Sequence, residues 1–151
     1  MLSLSLSLNS IRQLGGWEPS DETSLEAWYK YQTGITLNGS DVSAWADSSS
    51  NSFDMVQATA SEQPAYNSGN IDFDASATQS LQSASDINLS GAFTVGIKLQ
   101  PSVANVSVIG SNTVSNEFFK ITSTTNLRFK TDGSTADMTI DLSLIHIWRC
   151  R

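Results

Sequence analysis

The chain has 151 residues, with 8 Lys+Arg against 15 Asp+Glu and a net charge of −7. That length suits one domain with a proper core and is too short to lead us to expect two. The acidity argues against sequence-independent nucleic-acid binding, which needs Lys and Arg clustered against phosphate.

Taken in chain order, "MLSLSLSLNS" opens with Leu2, Leu4, Leu6 and Leu8 alternating with serine. The alternation predicts an extended strand or a flexible arm. It lacks the basic start and continuous apolar run of a secretory signal peptide. "GGWEPSDETS" (15–24) reads as a linker, so 1–24 is assigned as a Leu/Ser-rich arm and linker. In "SDETSLEAWYKY", Leu25, Trp28 and Tyr29 fall at i, i+3 and i+4, and Ser20 or Asp21 stands ready as a cap, so a helix is expected there.

Beyond it the pattern is short alternating runs: 42–46, 53–58, 70–74, 80–83, 93–99, 106–110, 118–122 and 127–130. Phe93, Val95, Ile97 and Leu99 alternate most cleanly, and each is expected on one strand face. Turn signals "NGSD" (38–41), "NSGN" (67–70) and "TDGS" (131–134) separate the runs. Met138, Ile140, Leu142 and Leu144 share one phase, so 137–147 is expected partly as strand. The reading is an all-β sandwich or barrel. No run approaches the roughly 18 consecutive apolar residues of a membrane-spanning helix, so membrane insertion is not expected.

Residues 25–141 carry a spaced pattern: Ala27-Trp28-Tyr29, then Val42, Trp45 and Asp47, then Asn51, Gln57, Pro64 and Tyr66, and finally Phe73, Asp74 and Leu81. This resembles the start of the concanavalin A-like lectin/glucanase superfamily, in the laminin-G-like branch of phage and bacterial surface proteins; the Leu/Ser-rich leader is also similar to phage-encoded versions. The resemblance implies an antiparallel jelly-roll sandwich, incomplete at the C-terminus because further family strands would follow residue 141. It implies a non-catalytic carbohydrate-binding or adhesion module of a phage virion or tail protein, on a virion or extracellular surface. Its partners would be host-surface glycans or other virion proteins. The alternatives are a purely structural virion-decoration domain and a fragment of a glucanase-like hydrolase. Ser49, Ser52 and Ala75 stand where the family has glycine, which predicts altered turns at these places.

The last ten residues, "LSLIHIWRCR" (142–151), hold the only histidine, His146, and the only cysteine, Cys150. Back-translated as CTG TCT CTT ATA CAC ATC TGA CGC TGC CGA, they resemble the transposon-end adapter of sequencing libraries, with TGA read as Trp148. They are therefore taken as adapter-derived and set aside. Without them no His or Cys remains, so a Ser-His-Asp or Cys-His site, a disulfide framework and a thiolate metal site are not expected.

Among the remaining candidates, Asp72 and Asp74 are read as sharing one strand face. Without a glutamate partner they make a poor glycosidase pair, and a structural role is favoured. Asp47 with Asn51, or Asp72 with Asp74, are the oxygen donors that would suit Ca²⁺, a hard cation. The competing reading is that Asp47 and Asn51 bond their own loop in an Asx-type turn, and no cofactor is assigned. Trp28, Trp45, Tyr29 and Tyr66 are candidates for sugar stacking, with core packing favoured for the two tryptophans; Trp17 is expected to be exposed. Sequons at Asn38, Asn88 and Asn105 have meaning only in a eukaryotic secretory context, and no catalytic, metal or ligand-binding residue is assigned.

Overall fold

The computed structural model describes residues 16–87, 92–100, 106–110, 117–123, 126–131 and 134–139. The leader Leu2–Leu8, Asn88, Asn105 and residues 140–151, with His146, Trp148 and Cys150, lie outside the described residues. The chain divides into two compact units, Met1–Gly91 and Ala92–Arg151. The described residues are all-β: strands in antiparallel sheets, with helical structure limited to three-residue 3-10 turns.

The first unit holds β1 (Ile35–Asn38), β2 (Asp41–Trp45), β3 (Met55–Val56), β4 (Ala65–Tyr66), β5 (Ile71–Asp72) and β6 (Gln82–Ser83). β1 and β2 form a tight hairpin in which Asn38 pairs with Asp41, leaving Gly39 and Ser40 as the loop. Gly39 has φ +67° and Ser40 does not leave the ordinary region, the pattern of a two-residue loop with glycine at its first position. β2 is the organiser. One edge pairs with β1 along its length; the other is shared between β4, opposite Asp41, and β3, opposite Ala44 and Trp45. Between β3 and β4 the chain makes an excursion over 57–64 that returns Pro64, whose carbonyl accepts from Val42 N–H at 2.8 Å. Val42 and Pro64 are fully buried at that junction.

The second unit contains a four-stranded meander: β7 (Val106–Gly110), β8 (Glu117–Ile121), β9 (Asn126–Thr131) and β10 (Ser134–Thr139), in the order β10-β9-β8-β7. Among the described side chains of this sheet Phe119 and Ile121 on β8 are buried, and the Phe119 ring lies 4.9 Å from that of its cross-strand partner Phe129. Burying such side chains removes about 1.5–3 kcal/mol of apolar exposure each. β7, at the sheet edge, carries two register shifts. Bulges of this kind blunt an edge against further pairing.

Two expected elements are not formed. Residues 22–30 contain no helix, because loops further along the chain take the backbone groups a helix would use. Trp28 N–H donates to the Asp47 carboxylate, Trp28 carbonyl accepts from Ser48 N–H, and the Leu25 and Glu26 carbonyls accept from the Asn51 amide. Residues 93–99 are not a strand either. Alternation supplies a face, but a strand also needs a ladder partner, and this segment has none among the described residues. Phe93, Val95 and Ile97 stay exposed, although the Phe93 ring reaches within 5.8 Å of Phe118.

Candidate functional site

Four of the pattern residues of the first unit, Trp28, Tyr29, Trp45 and Asn51, gather around Asp47, just past the end of β2. One carboxylate oxygen accepts from Trp28 N–H and Ser49 N–H, both at 2.8 Å. The other accepts from Ser49 Oγ at 2.6 Å and Phe53 N–H at 3.1 Å. Partial burial alone would push this carboxyl up. The bonds from the Ser49 hydroxyl and from the three N–H groups outweigh it and hold Asp47 below the ordinary Asp range. Asn51 completes the loop by donating to the carbonyls of Leu25 and Glu26 at 3.0 and 2.9 Å. Both residues are therefore spent on the loop 47–53 and the segment 25–28, the Asx-type reading extended to a second stretch of chain.

Tyr29 and Trp45 belong to the same assembly. The Tyr29 hydroxyl donates to Phe53 carbonyl, its ring meets Trp45 edge-on at 5.8 Å, and Trp45 Nε1 donates to Lys30 carbonyl at 3.1 Å. Burial, then the Asp47 and Asp54 carboxylates, push the Tyr29 phenol up to about 12. Both Trp28 and Trp45 are half-buried. Trp28 carries Lys30 Nζ at 5.0 Å from its ring centroid, a cation–π arrangement. Trp17 is 71% exposed.

Gln57 and Pro64 have equally local work. Gln57 Nε2 donates to Glu62 Oε2 and to the Ser80 carbonyl, tying the 57–64 excursion to the stretch before β6. The buried Gln63 side chain donates to Gln57 carbonyl at 2.7 Å and accepts from Asn38 Nδ2 at 3.0 Å. A buried amide bonded at both ends costs little and holds the excursion in one register.

Asp72 and Asp74 do not share a strand face, contrary to the pattern-based expectation. β5 ends at Asp72, and Asp74 caps the 3-10 turn Ala75–Ala77 by accepting from Ser76 N–H and Oγ at 2.8 and 2.7 Å. The Ser76 hydroxyl and then its N–H hold Asp74 below the ordinary range. A short polar side chain two residues before the N–H it captures is a stronger local preference than two-residue alternation. Among the described residues no group of three or more His, Cys, Asp or Glu side chains is placed to hold a metal ion.

Of the positions where the resemblance placed glycine, Ser52 has φ +60°. The serine bears the strain of a left-handed conformation there. Ser52→Gly is expected to raise stability by about 0.5–1 kcal/mol, read as a higher urea midpoint at unchanged slope. A lower midpoint would show that the serine hydroxyl contributes more than the strain costs. Ala75 has no positive φ, so glycine is not needed there.

Sequence reasoning passed over Tyr31. Its ring stacks on Tyr66 with centroids 5.8 Å apart and an interplanar angle of 28°, and its hydroxyl donates to Asn67 carbonyl. Spacing gave no signal for it: two residues apart in an extended chain, Tyr29 and Tyr31 would share one face, yet Tyr29 meets Trp45 and Tyr31, in a turn, meets Tyr66. No family model, no curated protein and no solved structure matches this chain.

Proposed function

We propose that the chain carries part of a concanavalin A-like, laminin-G-like jelly roll, acting as a non-catalytic carbohydrate-binding or adhesion module on a virion or other extracellular surface. The observation that supports this reading is the convergence at Asp47. Residues that resemble the family's spaced pattern, Trp28, Tyr29, Trp45, Asp47 and Asn51, meet in one hydrogen-bonded assembly although up to 26 residues separate the bonded partners. A pattern whose members touch one another is what a shared fold demands of its scaffold.

The same observation favours one second reading, a virion-decoration domain with no sugar site, because these aromatic and amide groups serve the scaffold. The glucanase reading loses its candidate pair with the separation of Asp72 and Asp74. A glycan array probed with the whole chain tests the first two. Binding to a subset of surface polysaccharides is the expected result, and silence across the array would replace adhesion by decoration.

A further inference from the structure

We propose that the stacked Tyr31–Tyr66 pair and the two hairpin turns beside it form a binding site for a neutral glycan. The proposal rests on the adhesion reading above and names the place and ligand class for it.

The site is assembled from three parts. Thr33 N–H donates to Lys30 carbonyl at 3.0 Å and Gln32, the third residue of that turn, has φ +66°. This is the type II pattern, in which glycine is the favoured residue at the third position. A glutamine held there is strained, and it holds Tyr31 at the turn's corner. Strain kept in a native turn is a recurrent mark of functional segments. Tyr66 ends β4, and its N–H donates to Ser40 carbonyl at 2.9 Å, which draws the β1–β2 turn alongside. The β4–β5 turn is closed by Asn67 N–H on Asn70 carbonyl at 2.9 Å, and the Tyr31 hydroxyl on Asn67 carbonyl fixes the ring across it.

The result is a surface feature. Both rings are half-buried, while Ser40, Asn67, Ser68 and Asn70 around them are exposed. A pyranose has an apolar C–H face and a rim of hydroxyls. The part of each ring left uncovered by the stack gives the first a surface whose side chains are already ordered, and exposed amides and hydroxyls give the second both donors and acceptors. Charge selects within that class. Asp41 accepts from Ser40 Oγ at 3.3 Å, and Asp72 pairs with Ala65, next to Tyr66. Lys30 is the neighbouring cation, and it lies over Trp28. Both carboxylates belong to residues paired with Ala65, on the sheet face away from the Tyr66 ring, so they act on a sulfated or sialylated chain through their field, on a protein of net charge −7, and not by contact.

The whole chain would be titrated with neutral glucans, mannans and galactans beside sulfated and sialylated glycans, by calorimetry and by NMR of the tyrosine ring protons. The expected result is binding of a neutral glycan, with ring-proton shifts at Tyr31 and Tyr66. Tyr31→Ala or Tyr66→Ala should weaken it about tenfold or more, and Tyr66→Phe, which keeps the ring, should stay within about twofold. The wild-type ring shifts decide the matter even if an alanine variant fails to fold. Binding of a neutral glycan with shifts elsewhere, or undiminished in both folded alanine variants, overturns the site and leaves the adhesion reading standing. Preference for anionic glycans overturns the ligand class. Binding of no glycan by the wild type removes both.

Discussion

Asp47→Ala is expected to cost about 3 kcal/mol of folding stability. It would leave the N–H groups of Trp28, Ser49 and Phe53 without their acceptor in a half-buried loop, at roughly 1 kcal/mol or more each. Asp47→Asn should cost about 1–2 kcal/mol, because one amide oxygen can serve Trp28 and Ser49 while the NH₂ is set against Phe53 N–H. The pH dependence has a definite sign. Asp47 titrates below its ordinary value of 3.8 in the folded chain, so the unfolded chain takes up its proton first. Its contribution is whole at pH values above that ordinary range and is lost as pH falls through the lowered folded value. Urea unfolding from pH 7 to pH 3 should therefore show the stability gap between wild type and Asp47→Asn closing only below about pH 4. A gap that is constant across the range would mean that the carboxylate is not the acceptor that joins these loops.

Gly34→Ala is expected to be the second severe substitution, at about 2–4 kcal/mol. Gly34 has φ +67°, and a Cβ built on it would lie 2.7 Å from Ala46 Cβ and 3.4 Å from Ala46 Cα and N. The approach is close because Gly34 carbonyl accepts from Ala46 N–H at 2.8 Å, just beyond the Ile35–Trp45 pair of the β1–β2 hairpin. The neighbour is backbone and a methyl on that backbone, so no rotamer change can yield space. Gly39 is the internal control, with the same φ of +67° but nothing within 4 Å of its Cβ position. Gly39→Ala should thus cost only the conformational term, about 1 kcal/mol. Adding Ala46→Gly to Gly34→Ala should recover the steric part and leave the conformational part. Equal losses at Gly34 and Gly39, measured by thermal or urea unfolding, would sink the claim that the two strand ends meet this closely.

How much of this could be read in advance differs by feature. The runs at 42–46, 106–110, 118–122 and 127–130 became strands close to their expected limits, because alternation, β-branched residues and flanking turns agree there. β1 and β4 were missed. β1 (ITLN) is four residues with one apolar pair, and β4 (AY) is two residues, too short for any period to register. The segment 25–31 shows the opposite failure. Its i, i+3, i+4 spacing is sound for a helix, yet bonds to Asp47, Ser48 and Asn51 decide it. Short helices are marginal without tertiary support, and partners that satisfy the same backbone groups can displace them.

The candidate sites divide in the same way. That Asp47 and Asn51 prefer turns, and that an Asx residue captures nearby N–H groups, is a local property and was legible. Asp74 is local too, but cap preference and strand alternation compete for it, and only the end of β5 at Asp72 resolves the competition.

From residue order alone follow the all-β character, the net acidity, and the turns at 38–41 and 67–70, because these depend on side-chain period, charge and the conformational range of Gly and Asn. The pairing of β2 with β1 on one edge and with β3 and β4 on the other could come only from the tertiary structure. So could the reach of Asp47 to Trp28 and the meeting of Tyr31 with Tyr66, 35 positions apart in the numbering. Contacts across such separations must offset the entropy of closing the intervening loops, and their partners are chosen by the whole arrangement of the chain.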